Sequence, residues 1–288
     1  MQLKEIMLLA GILWGGLSYG KPLNKIISAG QVNYLLANHA EKTVFIDTRS
    51  SFKFTLGHIP GAVRLSWTDY TRTVNGAQGI SIPLADIQNK LPREIKSAKF
   101  HVVYGEGANG WGEEGRVLWM LESLGYKNIS YLDGGYASWD KAEPIVSAFE
   151  NRECNDPMER FQPLRSEPLF RFDALLKNKD KVTFIDVRLP EEYSGATPHG
   201  SKYGGHLPNA VNIPLKRLFT TKGLILKKEE LIQSLKRSGI DLKKPMVTYC
   251  TGGVRSALFY WIVRHRAGFP DTFNYDGSWW EWSANVPG

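Results

Sequence analysis

The chain has 288 residues, 42% hydrophobic and 23% charged, with no long low-complexity run, which excludes fibrous and disordered classes and leaves room for two globular domains. Its net charge of +7 is spread over short clusters such as Lys227-Lys228 and Lys243-Lys244, without an arginine-rich arm or zinc-finger spacing. The excess therefore reads as a solvated surface suited to small anions and not to nucleic acid, and two cysteines exclude a disulfide framework.

The chain opens with an apolar run of about a dozen residues over 6–17, too short to span a bilayer comfortably. Ser18-Tyr19-Gly20 then places small residues at the −3 and −1 positions of a cleavage site. This predicts a signal peptide over 1–20, a mature chain from near Lys21, and export, to the periplasm in a bacterium. The charge of Lys4 is offset by Glu5, so the other reading is a buried or interfacial first helix.

Further along, "TVFIDT" and "FHVVYG" are short apolar runs rich in β-branched residues, expected as buried strands. "EEGRVLWMLESLGY" has apolar residues at Val117, Leu118, Leu121 and Leu124 before a glycine stop at Gly125, the pattern of a helix. "NISYLDGG" is a strand ending in an Asp-Gly turn. A polar stretch follows over 149–167, containing Cys154, Pro157 and Pro163, and reads as an interdomain linker. "VTFIDV", "PMVTYC" and "TFNYDGS" then repeat the strand signals. "RSALFYWIVRHRAGF" repeats the helix, with Leu258, Trp261 and Ile262 before Gly268. Strands alternating with helices predict an α/β fold with parallel sheets flanked by helices.

These elements form a duplication. Asp47 and Arg49 match Asp186 and Arg188. Gly57-His58 matches Gly205-His206, Gly105 matches Cys250, and the turn at Asp133 matches that at Asp276, all at offsets of 139–148 residues. Four anchors in one order mean two copies of one domain, over 22–148 and 168–288.

One stretch carries the chemistry. In "VTYCTGGVRSA", Cys250 ends a strand and a helix is expected to begin near Ser256. Ligands of open α/β sheets bind beyond the carboxyl ends of strands. Thr251, Gly252, Gly253 and Val254 make a loop whose N–H groups can converge on one centre. With the following helix start, such a loop lowers a thiol pKa, and Arg255 adds a fixed charge able to clamp an oxyanion. The competing reading is a small apolar residue closing a buried strand. The first copy has Gly105 here, followed by the longer acidic loop "GEGANGWGEEGR". The fold does not need a cysteine at this point, which favours a functional one.

The ordered motifs "FIDVR…EEY…GGHLPNAVNIP", "CTGGVR" and "NYDGSWWEW", with their echoes in the first half, resemble the tandem-domain rhodanese sulfurtransferases. The resemblance covers nearly all of the chain after the leader. It implies two rhodanese-like domains, a non-catalytic first and a catalytic second. Cys250 is implied as the nucleophile that takes a sulfane sulfur, becomes a persulfide and yields it to an acceptor. Arg188, by its family counterpart, and Arg255 are expected at the donor's anionic end, around the Thr251–Val254 loop. The implied partners are a small anionic sulfur donor and a cyanide, thiol or protein-thiol acceptor, with no cofactor. Asp186 and His206 recur as Asp47 and His58 in the other copy and are expected to be scaffold.

Four residues separate Cys250 from Arg255, against five in cell-cycle phosphatases of related fold, and the smaller loop suits sulfur better than phosphate. Thiosulfate-type members carry basic residues directly after the cysteine, and mercaptopyruvate-type members carry Gly-Ser-Gly-Val-Thr. Thr-Gly-Gly-Val-Arg matches neither. The charge of Arg255 leans towards thiosulfate as donor, with 3-mercaptopyruvate and a non-enzymatic sulfane-sulfur carrier as alternatives. Trp279, Trp280 and Trp282 are expected in the core. The six histidines show no metal-ligand spacing, so no metal site is expected.

Overall fold

The computed structural model describes residues 24–140, 175 and 180–286. The leader over 1–20, the linker over 149–167 and Cys154 lie outside the described residues. The first half runs β1 (Ile26–Ile27), α1 (Ala29–Asn38), β2 (Thr43–Asp47), α2 (Ser51–Leu56), β3 (Val63–Arg64), β4 (Thr71–Val74), β5 (Ala77–Ser81), α3 (Leu84–Lys90), α4 (Arg93–Ser97), β6 (Phe100–Tyr104), α5 (Glu113–Ser123), β7 (Ile129–Leu132) and α6 (Tyr136–Asp140). The second runs β8 (Thr183–Asp186), α7 (Pro190–Tyr193), β9 (Val211–Asn212), α8 (Lys228–Arg237), β10 (Met246–Tyr249), α9 (Arg255–Ile262), β11 (Thr272–Asn274) and α10 (Ser278–Asn285).

Each half holds a parallel sheet. The strand orders are β1-β7-β6-β2-β3 and β11-β10-β8-β9, so the three strands expected to correspond occupy the same places in both, with β3 and β9 as a fourth matching pair at the edge. Apart from its first residue, β2 is buried along its length, as is β8, and β10 is buried throughout. This follows from helices covering both faces of a parallel sheet and explains the near-continuous apolar runs. A two-stranded antiparallel hairpin, β4-β5, is added to the first half.

The duplication extends to single hydrogen bonds. Arg188 donates from Nε and Nη2 to Asp186, and from Nη2 to the Gly205 carbonyl at 2.7 Å. Arg49 makes the same bonds to Asp47 and Gly57. Tyr104 Oη accepts from Ile59 N–H, and Tyr249 Oη accepts from Leu207 N–H, both at 3.1 Å. His58 stacks on Phe54 and His206 on Tyr193, each ring Nδ1 reaching its partner's carbonyl. Recurrence in the copy without a cysteine marks Asp186 and His206 as scaffold.

The halves meet along α5 and α9. All eight residues of α9 are buried, as expected of a helix apolar all round and packed between layers. A Cβ on Gly115 would collide with the backbone of Leu258, so glycine permits this close approach. Val103, Leu118 and Leu121 of the first half join Ile185, Leu258 and Trp261 of the second in one core. The helices stop where glycines take left-handed φ, 87° at Gly125 and 84° at Gly268. The second copy reaches Gly268 through a π-type turn, Val263–Ala267.

Candidate active site

Cys250 follows β10 directly and is 1% exposed. Helix α9 begins at Arg255, one residue earlier than the sequence reading placed it. The intervening loop is shaped by what its carbonyls accept. Cys250 O takes the N–H of Trp279 at 3.0 Å and Thr251 O that of Trp280 at 2.9 Å. Gly253 O accepts from Arg116 Nη1 and Asn274 Nδ2, both at 3.3 Å. Val254 O accepts from Ala257 and Leu258 within the first turn of α9. A planar trans peptide points its N–H opposite to its C=O. The bound carbonyls of Cys250, Thr251, Gly253 and Val254 therefore turn the N–H groups of Thr251, Gly252, Val254 and Arg255 to the opposite side, and that of Gly252 acts on the Cys250 thiol. Among the described residues, the N–H groups of Thr251, Gly253 and Val254 donate to no protein acceptor.

The glycines are required here. Gly253 has φ 75°, and a Cβ on it would meet the Asp276 carbonyl and Arg116. A Cβ on Gly252 would enter the ring of Trp280. Trp279 and Trp282 lie in the second-half core as expected. Trp280 instead stays partly exposed, presses on the loop, and donates its indole N–H to His199 O at 3.0 Å.

The electrostatics favour a thiolate. Burial pushes the Cys250 thiol up, but it is outweighed by the charge of Arg255, the N–H and hydroxyl of Ser256 and the N–H of Gly252, leaving the thiol below its ordinary value. Ser256 Oγ lies 3.6 Å from Sγ, and Cys250 N–H is held by Ser278 Oγ at 3.2 Å. An electropositive, N–H-lined setting of this kind is one mark of a reactive cysteine, and it stands beside the burial of Cys250 in the shared core.

Arg255 does not stand free. Its Nη1 and Nη2 donate to Glu192 at 2.6 and 2.8 Å, and Nη2 also to Thr251 Oγ1 at 2.9 Å. Burial alone would raise the Glu192 pKa, but Arg255, the Leu189 N–H and Thr251 overcome it and hold the carboxyl at about 2. The outer face of Arg255 is covered by Trp111 of the first half, its ring 5.2 Å from the guanidinium and edge-on to His199. Arg188 is 1% exposed and engaged by Asp186 and the Gly205 carbonyl. Both arginines expected at the donor's anionic end are thus paired with carboxylates of their own half. Among the described residues, no group of His, Cys, Asp and Glu is arranged to hold a metal ion.

Sequence reasoning passed over Glu192, Arg116 and Trp111, took Asp276 only as an anchor of the duplication, and placed Trp280 in the core. Glu192 had a signal: it stands 139 residues after Lys53, in the register of the aspartates, so the two copies carry opposite charges there. Lys53 pairs with Glu106, whereas Glu192 pairs with Arg255. In the first half, the space a Cβ on Gly105 would need is filled by the carboxyl of Glu114 and by Thr48.

The rhodanese-like domain family matches residues 31–142 and 171–285. A putative thiosulfate sulfurtransferase of Mycolicibacterium smegmatis is 30% identical over 86% of this chain and 91% of its own length. A thiosulfate sulfurtransferase of Azotobacter vinelandii is 30% identical over 84% and 89%, and the sulfur carrier protein TtuD of Thermus thermophilus is 30% identical over 80% and 83%. In fold, the 3-mercaptopyruvate sulfotransferase SseA from Escherichia coli superposes with a TM-score of 0.67 at 21% identity, over 89% of this chain and 99% of that one. Two matched domains, each with the same strand order and only the second bearing a cysteine in its N–H cradle, make this chain a tandem member of the rhodanese-like family.

Proposed function

We propose that the protein is a sulfurtransferase that moves the outer sulfur of thiosulfate to a small thiophilic acceptor through a persulfide on Cys250. The observation that carries this is a buried thiol with a lowered pKa, enclosed by inward N–H groups at the carboxyl end of a strand. In the first step the Cys250 thiolate attacks the outer sulfur. A new sulfur–sulfur bond forms, the bond within thiosulfate breaks, and sulfite leaves with its electron pair. The terminal sulfur of the persulfide then sits in the cradle, where the N–H groups of Thr251, Gly252 and Val254 stabilise its negative charge. In the second step cyanide or a thiolate attacks that sulfur and Cys250 regains its thiolate. The loop residues Thr251–Val254 contact the donor. Arg255 and Arg188 act on the donor chiefly through their charge, since each is held by a carboxylate and by a further acceptor of its own half. The relatives' names support thiosulfate over 3-mercaptopyruvate.

Incubation with thiosulfate alone should raise the intact mass by one sulfur atom, and added cyanide should give thiocyanate. Cys250→Ser should do neither, and activity surviving in that variant would sink the mechanism. A higher kcat/KM for 3-mercaptopyruvate would overturn the choice of donor. A stable persulfide without turnover would make the protein a carrier instead.

Export is part of the same reading and rests on the apolar run over 6–17 and the small residues Ser18 and Gly20. No helix among the described residues is long and apolar enough to cross a membrane. The mass of the protein recovered from the periplasm should correspond to a start near Lys21. Retention of the full-length chain in the cytosol would refute export.

A further inference from the structure

Arg116 belongs to the first half, on α5, and is 2% exposed. Its guanidinium stands where three segments meet. Nη1 donates to Gly253 O at 3.3 Å, inside the Cys250 loop. Nη2 donates to Gly79 O and Ser81 Oγ, both at 3.0 Å, on the β4-β5 hairpin. Nη2 also makes a short ion pair with Asp276, in the turn after β11. Asp276 in turn accepts from the N–H and hydroxyl of Ser81, both at 3.1 Å. The planar side chain is stacked on Trp119, 4.8 Å from its ring centre. The orientation of this fork is therefore fixed on every side.

Its effect on the loop follows from peptide geometry. The Gly253 carbonyl and the Val254 N–H share one planar trans unit. Gly253 has φ 75° and no side chain to restrain it, so the peptide on either side of it is the least restricted in the loop. Two donors hold its carbonyl outward. Asn274 comes from the catalytic half, and Arg116 is the charged one and crosses from the other half. Hydrogen bonds from charged donors are about twice as strong as neutral ones.

We propose that Arg116 is a positioning residue for sulfur transfer: from the half without a cysteine, it locks the Gly253–Val254 peptide with its N–H facing the transferred sulfur. The first half then has a task at the site of the second, and the β4-β5 hairpin serves as its brace. The inference rests on Cys250 being the nucleophile.

The test compares Arg116→Gln and Arg116→Lys with the wild type, each checked by thermal unfolding. Lysine keeps the charge beside Asp276 but loses the fork that reaches both Asp276 and Gly253. Three quantities are read: kcat and KM for thiosulfate with cyanide, the pH midpoint of Cys250 alkylation, and the lifetime of the thiosulfate-generated persulfide. Both variants should show kcat down about 10-fold or more with KM changed less than about 3-fold, as loss of one oriented donor costs in other enzymes. The alkylation midpoint should rise and the persulfide lifetime should shorten. An unchanged midpoint and persulfide lifetime in folded variants would overturn the inference, as would a loss of activity matching only the unfolded fraction. Should Arg116→Gln not fold, Ser81→Ala, which loosens the brace without touching the loop, must show the same direction of change in weaker form, and no change there would also overturn it. Alkylation needs no turnover, so its result stands even if the wild type uses a different donor.

Discussion

Arg255 and Glu192 face each other across two hydrogen bonds of 2.6 and 2.8 Å, with both side chains under 10% exposed. The cation beside the Cys250 thiol is thus one half of a neutral pair. Glu192 sets where Arg255 stands, and Arg255 sets the field at Sγ. Removing one member of a buried pair leaves an uncompensated charge and costs about 3–5 kcal/mol. Glu192→Ala should lose stability of that order in denaturant unfolding, with kcat/KM falling together with the misplaced Arg255. Glu192→Gln, which still offers Arg255 and Thr251 one acceptor oxygen, should lose less of both.

The same carboxyl gives an acid signature. Its pKa is held at about 2 in the folded chain, against an ordinary value of 4.5. A depressed carboxyl contributes stability that is fully present above its unfolded pKa and lost as pH falls through the folded one. Wild-type stability should therefore decline between about pH 4.5 and pH 2 from this group. The difference between wild type and Glu192→Gln should shrink over that window, followed by chemical unfolding at a series of pH values.

Glu114 has the opposite sign. It is fully buried, its Oε2 has no hydrogen-bond partner, and burial raises its pKa to about 8 even though its own N–H and that of Gly107 oppose the shift. A raised carboxyl favours the folded state most below its unfolded pKa of 4.5, and that advantage erodes up to about pH 8. Glu114→Gln, which cannot ionise, should gain on the wild type as pH rises through this range. Parallel stability curves from pH 5 to 9 would contradict the assignment.

Gly115 lies inside α5, where an exposed glycine would gain about 1 kcal/mol on becoming alanine. Here the added methyl would strike the backbone of Leu258 on α9. Gly115→Ala should therefore destabilise by about 1–3 kcal/mol, as overpacked cores do. Differential scanning calorimetry should show a lower Tm. Activity should fall as well, because α9 begins at the catalytic loop.

Strands were readable because they depend on residues close in the chain, and the duplication because its short local motifs recur in one order. A buried parallel strand needs an unbroken apolar run, and "TVFIDT" and "VTFIDV" supply one each. The placement of the Cys250 loop was readable for the same reason, since strand, loop and helix start lie within about a dozen residues. The support of the site was hidden because it is assembled from afar. Glu192 lies 63 residues from Arg255, and Arg116 lies 137 from Gly253. Arg255 read as an anion clamp alone because nothing in its neighbourhood shows the carboxylate that folds against it. Trp111 sat in a loop noted only for its length and acidity, and its place over Arg255 follows from how the halves pack.

The Glu114 carboxyl lying against Gly105 also limits what that position can become. A cysteine at Gly105 alone would drive its side chain into Glu114 and Thr48. Shortening Glu114 alone would leave an empty hollow without a nucleophile. The two positions are therefore coupled, and the smallest change that would give the first half a thiol at this place is a double substitution.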